Sequence, residues 1–230
     1  MKMNDITVKP IAYIETDFKE KFGIPRQSGL CDTARGRIVF LPQYRTPDAL
    51  RGLDGFSHLW LIFDFSLAHR DEWSPTVRPP RLGGNTRVGV FASRSPFRPN
   101  PIGLSCVKIE NIEYSENDGW VINVLGADLL DNTPILDIKP YIPFSDCRPD
   151  ARGGYADEKK EHSLDVIIPT EYAELLDDDR LACLRQCLSQ DPRPSYQDDG
   201  RKYSMLFSDF DVHFTVEGKK LTVTEIEPLK

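Results

Sequence analysis

The sequence of 230 residues lacks the features that mark membrane, secreted and disulfide-rich proteins. No apolar run approaches the roughly 20 residues that span a bilayer, and residues 1–17 contain no apolar segment typical of a secretory signal. The five cysteines are odd in number and include no Cys-x-x-Cys pair, so their spacing indicates neither a disulfide framework nor a zinc site. We therefore expect a cytoplasmic protein that has no membrane segment and no metal.

Common catalytic signatures are missing as well. The sequence contains no Gly-x-Ser-x-Gly elbow, no P-loop and no His-Glu-x-x-His motif. The glycine-containing segment 82–89 lacks Gly-x-Gly-x-x-Gly spacing after a strand, so it does not support a Rossmann dinucleotide site. The four histidines are scattered, and His58 opens an apolar run, which favours a hydrogen-bonded core histidine over a metal ligand.

Acidic residues are absent from one long stretch of an otherwise acidic chain. The formal net charge is −7, but residues 73–109 carry six basic residues and no acid. Residues 157–179 carry nine acids against two lysines. The net charge therefore excludes a generally basic surface for nucleic acid, yet the first stretch can still face an anion. The alternative is a set of exposed charges and of structural pairs with acids elsewhere.

Turn residues and short apolar runs indicate a mainly β protein. Glycine and proline punctuate the first two-thirds of the chain densely, which is typical of a barrel or a sandwich. Leu59–Phe63 is nearly all apolar and predicts a strand buried on both faces. Pro47–Leu53 predicts a short helix. The predicted strands are Ile6–Ile14, Arg37–Leu41, His58–Phe65, Arg87–Ala92, Leu104–Tyr114 and Trp120–Leu125.

The last third predicts a small α+β unit. Residues 153–160 are polar and resemble a linker. A helix is expected over Thr170–Gln190 with Thr170 as its cap, followed by strands over Met205–Val216 and Lys220–Ile226. We therefore expect a Gly/Pro-rich β-barrel over residues 1–150 and an α+β appendix over residues 160–230.

Two segments carry an unusual density of polar side chains. In Phe91–Gly103, three prolines stiffen a loop that holds Arg94, Arg98 and Asn100. A guanidinium suits a carboxylate or a phosphate, and an amide suits a purine edge. The alternative is a rigid surface loop without a ligand.

The second segment, Gly126–Tyr141, holds three carboxylates within ten residues, followed by a lysine and a tyrosine. Carboxylates at the edge of a loop can neutralise a cation or remove a proton. The alternative is that Asp128 and Asp131 only cap turns.

In these segments the sequence resembles the TsaA/TrmO family of S-adenosylmethionine-dependent tRNA N6-adenosine methyltransferases. The similarity spans most of residues 6–146 and extends into the tail. One departure is Asn132, where many members have glycine, and asparagine tolerates a left-handed turn. The matching segments are Lys19–Leu30, Arg51–Leu53, Phe56–Trp60, Val77–Asn85, Arg94–Gly103, Asp131–Pro134, Asp137–Tyr141, Gln190–Tyr196 and Asp209–Val212.

The resemblance implies a homodimeric β-barrel that methylates N6-threonylcarbamoyladenosine at position 37 of tRNA. It implies that S-adenosylmethionine is the cofactor. The cofactor-binding residues that it implies are Gln27, Ser28, Gly29, Phe65, Ser66, Arg94, Leu104, Asp128, Leu129, Leu130 and Asp131.

Residue chemistry suggests further roles within that framework. Asp131 or Asp137 is expected to accept the substrate proton unless water does, and Tyr141 is expected to contact the base. The threonyl carboxylate and tRNA phosphates suit basic side chains, and the base edge suits an amide. The expected substrate contacts are Arg78, Arg81, Arg98, Asn100 and Lys139. A barrel that binds the cofactor or RNA without catalysis, or one that methylates another acceptor, remains an alternative.

Overall fold

A closed antiparallel barrel of six strands forms the first part of the molecule. The structure is a computed structural model that describes residues 6–79, 82, 86–159, 163–193 and 200–229. The strands follow the order β1-β2-β7-β6-β3-β8 around the barrel, which confirms the predicted architecture. Their bounds are β1 Ala12–Thr16, β2 Arg35–Phe40, β3 His58–Asp64, β6 Ile102–Ser115, β7 Gly119–Leu125 and β8 Thr133–Pro140.

The barrel core comes from alternating residues of its strands. In β3, Leu59, Leu61 and Phe63 are buried, whereas Trp60 and Ile62 between them are only half-buried. The prediction that this strand is buried on both faces is therefore wrong. One face fills the barrel, and apolar side chains on the other face lie along its outer wall, where Trp60 donates a hydrogen bond to Asp146 at 2.9 Å. Asp146 belongs to a short helix, α1 (Pro143–Asp146), that covers part of this wall.

Among its described residues, the connection between β3 and β6 carries little regular structure. Two short strands, β4 (Thr76–Val77) and β5 (Val88–Gly89), pair with each other, so the strand predicted over Arg87–Ala92 is shorter than expected. Before β3, the predicted helix over Pro47–Leu53 consists of separate 3-10 turns. Arg81 lies outside the described residues, as do residues 83–85 and 194–196 of the matched segments.

Within the described residues, the C-terminal part consists of a four-stranded sheet and two helices. The sheet order is β10-β11-β12-β9, and β9 pairs with β12 in parallel. The predicted strand over Met205–Val216 is wrong as a single element, because Ser208 turns the chain with φ 53°. The bounds are β9 Asp165–Ile167, α2 Thr170–Ala173, α3 Asp178–Ser189, β10 Lys202–Phe207, β11 Phe210–Glu217 and β12 Lys220–Pro228.

The single helix predicted over Thr170–Gln190 is also wrong. The chain forms α2, breaks, and begins again at α3. The cap of α3 is Asp177, whose carboxylate accepts a hydrogen bond from the backbone N–H of Arg180 at 2.9 Å. A carboxylate at that position satisfies an orphan donor and favours the positive end of the helix dipole. Within the described residues, no helix is both long enough and apolar enough to cross a membrane.

The two parts share a hydrophobic core. Phe18, Cys31 and Ala34 precede β2, yet they pack into the C-terminal core and not into the barrel. The rings of Phe18 and Phe207 meet edge to face at 6.1 Å between centroids. The predicted appendix is therefore joined to the barrel by the packing of segment 17–34 into its core.

Candidate active site

Segments that are distant in sequence meet beside the first half of β6. Strand β7 pairs with β6 only from Lys108 onward, so residues 102–107 have an edge that β7 does not cover. The loop at residues 26–29 covers this edge, where the Ser28 hydroxyl accepts a hydrogen bond from the Cys106 N–H at 3.2 Å. Gly29 then donates its N–H to the carbonyl of Gly126 at 3.2 Å. The loop and the 126–131 turn therefore lie together against β6.

Arg94 extends from the proline-containing loop to this cluster. Its guanidinium donates a hydrogen bond to Oε1 of Gln27, which is itself anchored through Nε2 to the carbonyl of Arg26 at 2.6 Å. Within the described residues Arg94 makes no ion pair and is exposed. A guanidinium has five N–H donors, so most of them are available for an anionic group.

Asp128 contributes a half-buried carboxyl at the same place. The Ser105 hydroxyl donates a hydrogen bond to Oδ1 of Asp128 at 2.5 Å. Burial raises the pKa of Asp128 from 3.8 to about 6, and the Ser105 hydrogen bond and the positive charge of Arg94 oppose that rise. The group thus changes its charge close to neutral pH, and its ionised form favours a nearby cation.

Apolar side chains complete the cluster. Leu104 is 53% exposed on β6, and Phe65 follows β3, held by its N–H to the carbonyl of Pro101 at 2.8 Å. Gly103 is needed between them because a Cβ there would lie 2.2 Å from the Phe63 ring. Ser66 is exposed in the turn after Phe65. The first half of β6 and the segments beside it thus carry cationic, anionic and apolar side chains. These are the groups that bind the carboxylate, the sulfonium and the adenine of S-adenosylmethionine, respectively.

The carboxylate of Asp131 makes a different set of contacts. Its carboxylate accepts hydrogen bonds from the Thr16 N–H at 2.9 Å, the Lys19 ammonium at 2.9 Å and the Asn132 amide at 2.8 Å. These contacts hold the turn against β1. The backbone of Asn132 is left-handed, as expected from the sequence, with φ 60°. The carboxylate of Asp131 is thus occupied by structural contacts, and its cofactor and catalytic roles stay predictions.

The neighbours of Asp131 in the turn are also held by other contacts. Leu129 is buried in the barrel core, and the Leu130 carbonyl accepts a hydrogen bond from the Thr133 hydroxyl at 2.7 Å. Of the turn residues predicted to bind the cofactor, Asp128 is the one whose side chain joins the cluster beside β6.

The sequence suggested a loop edge for the segment that follows, but this segment is strand β8. Asp137 pairs in register with Ile62, which pairs with Leu104 on the other side. Residues that face each other across neighbouring strands point to the same face of a sheet, so these three side chains form a row on the outer wall. Two strand spacings of about 4.8 Å separate the ends of the row, or roughly 10 Å.

Lys139 and Tyr141 continue along the same wall. Lys139 pairs in register with Trp60 and forms an ion pair with Asp137 at 2.8 Å. The Tyr141 ring lies 5.7 Å from Trp60 and 6.2 Å from His58, between centroids. Partial burial raises the pKa of the Tyr141 hydroxyl above its ordinary value, as do Cys147 and Cys106 nearby. The outer wall of β8, β3 and β6 therefore collects Asp137, Lys139, Tyr141 and Leu104.

The described residues of the basic stretch 73–109 form few ion pairs. In the part of the chain that the structure describes, Arg78, Arg87, Arg98 and Lys108 make none, and Arg78 is exposed. Arg98 donates a hydrogen bond to the Ser93 carbonyl at 3.2 Å, which ties it to its own loop. The alternative of structural pairing is thus not realised at these positions.

Asn100 helps to close the proline-containing loop. Its carbonyl accepts the Ile102 N–H at 2.7 Å, and its side chain is exposed.

Other residues near the site were not identified from the sequence. The Arg70 guanidinium lies 3.9 Å from the centre of the Phe97 ring, and His69 Nε2 lies 2.8 Å from Asp64 Oδ1 beside Phe65. The partner of Asp128, Ser105, was missed because an isolated serine in a strand gives no signal. The pairing of β3 with β6 could have indicated that Asp64 and Ile102 are neighbours.

Family models match nearly the whole chain. The tRNA-methyltransferase O N-terminal domain matches residues 13–147, and the TrmO C-terminal domain matches residues 161–229. The chain belongs to the tRNA-methyltransferase O family. The TrmO matches thus cover both the barrel and the C-terminal sheet.

Relatives within the TrmO family are similar over most of their length. A protein of Escherichia coli named tRNA (adenine(37)-N6)-methyltransferase is 40% identical over 235 residues, which cover 98% of this chain and 100% of that protein. A protein of the same name from Eikenella corrodens is 48% identical over 165 residues, 70% of this chain and 92% of its own. The crystal structure of TrmO from Pseudomonas aeruginosa superposes with a TM-score of 0.80 at 36% identity and covers 99% of both chains.

Proposed function

We propose that this protein transfers a methyl group from S-adenosylmethionine to N6 of threonylcarbamoyladenosine at position 37 of tRNA. The observation that carries the proposal is the cluster of Arg94, Gln27, Ser105 and Asp128 beside β6, in a chain of the TrmO family. The cytoplasm is the compartment that fits this role. The five cysteines are free, as is expected of a protein from a reducing compartment.

The chain's residues match the charges of the cofactor. S-adenosylmethionine, when bound, supplies a methyl group on a sulfonium that leaves readily. Arg94 binds the methionyl carboxylate with the donors that Gln27 does not use, and the ionised carboxyl of Asp128 favours the positive charge. Leu104 and Phe65 supply apolar surface for adenine, and Ser28 and Gly29 supply backbone groups. Positioning of the two reactants contributes most of the acceleration.

Asp137 is the residue that we assign to the substrate proton. Its oxygens contact only Lys139 and the N–H of Ile138 among the described residues, whereas those of Asp131 are occupied by three donors. Lys139, together with Arg98, is suited to bind the threonyl carboxylate. Tyr141 lies further along the same wall and contacts the base, and Asn100 presents an amide from the adjacent loop.

A second copy of the chain completes the site in this proposal. Large apolar side chains are exposed around the proline-containing loop and β6, including Leu67 at 63%, Phe91 at 75% and Ile102 at 43%. Several large apolar side chains exposed in one region are typical of an interface. We therefore propose a homodimer whose contact includes the exposed part of β6.

Methyl transfer to tRNA tests the proposed reaction. Radiolabelled S-adenosylmethionine is incubated with the protein and tRNA that carries or lacks the threonylcarbamoyl group, and the labelled nucleoside is identified. We expect label only in the modified nucleoside. Transfer to both tRNAs, or to neither, would contradict the proposal.

The Asp137→Asn variant tests the proton acceptor, with Asp150→Asn as the control at an exposed carboxyl outside the site. General-base catalysis contributes about 10²–10⁴-fold, so we expect a loss of that order in the rate of transfer. An unchanged rate of transfer by Asp137→Asn would show that Asp137 does not accept the substrate proton and that water does.

A further inference from the structure

Three buried cysteines meet where α3 packs against the segment 17–34. Cys183 and Cys187 lie one turn apart on α3 and therefore share a face, and Cys31 approaches from the other side. Their exposed fractions are 1% for Cys31 and 2% for each of the other two. The Sγ atoms lie 3.6 Å apart for Cys31 and Cys183 and 4.0 Å apart for Cys183 and Cys187. All three sulfurs are within 4.8 Å of one another.

This spacing is that of ligands around a single ion. Sulfurs bound to one zinc ion at about 2.3 Å lie about 3.8–4.0 Å from one another, whether the arrangement is tetrahedral or trigonal. A disulfide needs about 2.05 Å between two sulfurs and would leave the third cysteine without a role. The Thr33 hydroxyl, 3.6 Å from Cys31 Sγ, supplies an oxygen at the edge of the group.

We propose that Cys31, Cys183 and Cys187 form a site for a divalent thiophilic metal ion of the Zn²⁺ class. Thiolates select soft ions over Mg²⁺ or Ca²⁺. A divalent ion leaves the three thiolates with one net negative charge, which costs less to bury than the two left by a monovalent ion. On binding, three S–H groups release their protons to solvent and three sulfur–metal bonds form, with no change in oxidation state.

The role of this ion is structural, because its ligands join the two parts of the molecule. Cys31 and Cys183 are 152 positions apart in sequence. An ion that binds only when α3 lies against the segment 17–34 stabilises that contact by mass action. Cys31 follows Gly29 of the cluster beside β6 by two residues, but its side chain is buried in the C-terminal core, so the ion takes no part in methyl transfer.

Titration of the full chain with Cd²⁺ tests the site directly. The protein is reduced with a phosphine, freed of metal by chelation, and titrated while sulfur-to-cadmium charge-transfer absorption is recorded. We expect saturation at one equivalent, release of protons, a higher melting temperature and displacement of Cd²⁺ by excess Zn²⁺. Absence of the absorption band in the wild-type protein would overturn the proposal without any variant.

Variants identify the ligands. Loss of even an indirect partner of a metal typically costs about 10–100-fold in affinity, so Cys183→Ala and Cys31→Ala should each lose at least tenfold. The controls are Cys106→Ala and Cys147→Ala, which lie outside the cluster and should bind as the wild type does. Retained binding in both cluster variants, or loss only in the controls, would overturn the assignment. So would an intact mass lower by two hydrogens, which would identify a disulfide.

Discussion

The raised pKa of Asp128 predicts that the folding stability of the protein depends on pH. Burial lifts the pKa of this carboxyl from 3.8 to about 6, which corresponds to at most about 3 kcal/mol of folding free energy. Well below pH 3.8 the group is protonated in both states and costs nothing. As pH rises to about 6 the unfolded state loses its proton first, so the folded state becomes less stable, and the cost is constant above that pH.

We therefore expect Asp128→Asn to unfold at higher urea concentration than the wild type at pH 7.5, with a difference that shrinks as pH falls from 6 and disappears well below pH 3.8. Asparagine keeps an oxygen for the Ser105 hydroxyl. The same variant should bind S-adenosylmethionine more weakly, and wild-type affinity should fall as pH drops below about 6. Asp150→Asn is the control, and an Asp128→Asn protein that is less stable at pH 7.5 would contradict the assignment of a buried charge.

Arg94 provides a second test at a single residue. Truncation of a charge-assisted hydrogen bond costs on the order of 1.5–3 kcal/mol, or roughly tenfold or more in affinity. Arg94→Ala should therefore weaken binding of S-adenosylmethionine by that factor in a calorimetric titration. Arg152→Ala is the matched control because Arg152 is exposed outside the barrel strands. Arg193 would be a poor control, since it is buried and paired with Asp191 at 2.9 Å.

Residue type alone could not separate Asp128 from Asp131. Both are carboxyls in the same short turn, and the sequence predicted both as cofactor contacts. The difference lies in distant partners, since Thr16, 115 positions away, holds Asp131. Ser105, 23 positions away, holds Asp128. By contrast, the proline-containing loop identified Arg94 locally, although its contact with Gln27 spans 67 positions.

At the scale of elements, strands with alternating or β-branched residues were predictable and interrupted ones were not. The prediction of β6 and β7 is correct to within about two residues, and Asp118-Gly119 marks the hairpin between them. β8 was missed because Pro134 and Pro140 at its ends, with carboxylates between, resemble a loop. Pairing with β1 and β3 on either side overrides that local preference.

The close approach of β6 to β3 predicts a steric effect. A Cβ on Gly103 would lie 2.2 Å from the Phe63 ring, so Gly103→Ala must displace Phe63 and the strand edge that carries Leu104. Overpacking of this kind typically costs about 1–3 kcal/mol, and we expect the midpoint of urea unfolding to fall accordingly. Gly55→Ala is the control, because no atom lies within 4 Å of its added Cβ. Equal loss in both variants would contradict this explanation.

The separation of charge along the whole molecule predicts how tRNA binds. Each phosphate contact contributes about 0.7–0.9 to the slope of log affinity against log salt. Arg78→Ala combined with Arg81→Ala should flatten that slope and weaken tRNA binding, while the affinity for S-adenosylmethionine stays nearly constant. Arg51→Ala is the control, since Arg51 is exposed and paired with Asp48. An unchanged slope in a folded protein would show that these arginines do not contact tRNA.

The shared core of the two parts has a consequence for biosynthesis. The barrel strands end at residue 140, but Phe18 and Ala34 are covered by strands that end near residue 228. A ribosome that adds about 5–20 residues per second needs on the order of 10 s to make that remainder. For this interval the nascent chain has a complete set of barrel strands and a bare apolar flank, which is the kind of surface that a holding chaperone binds.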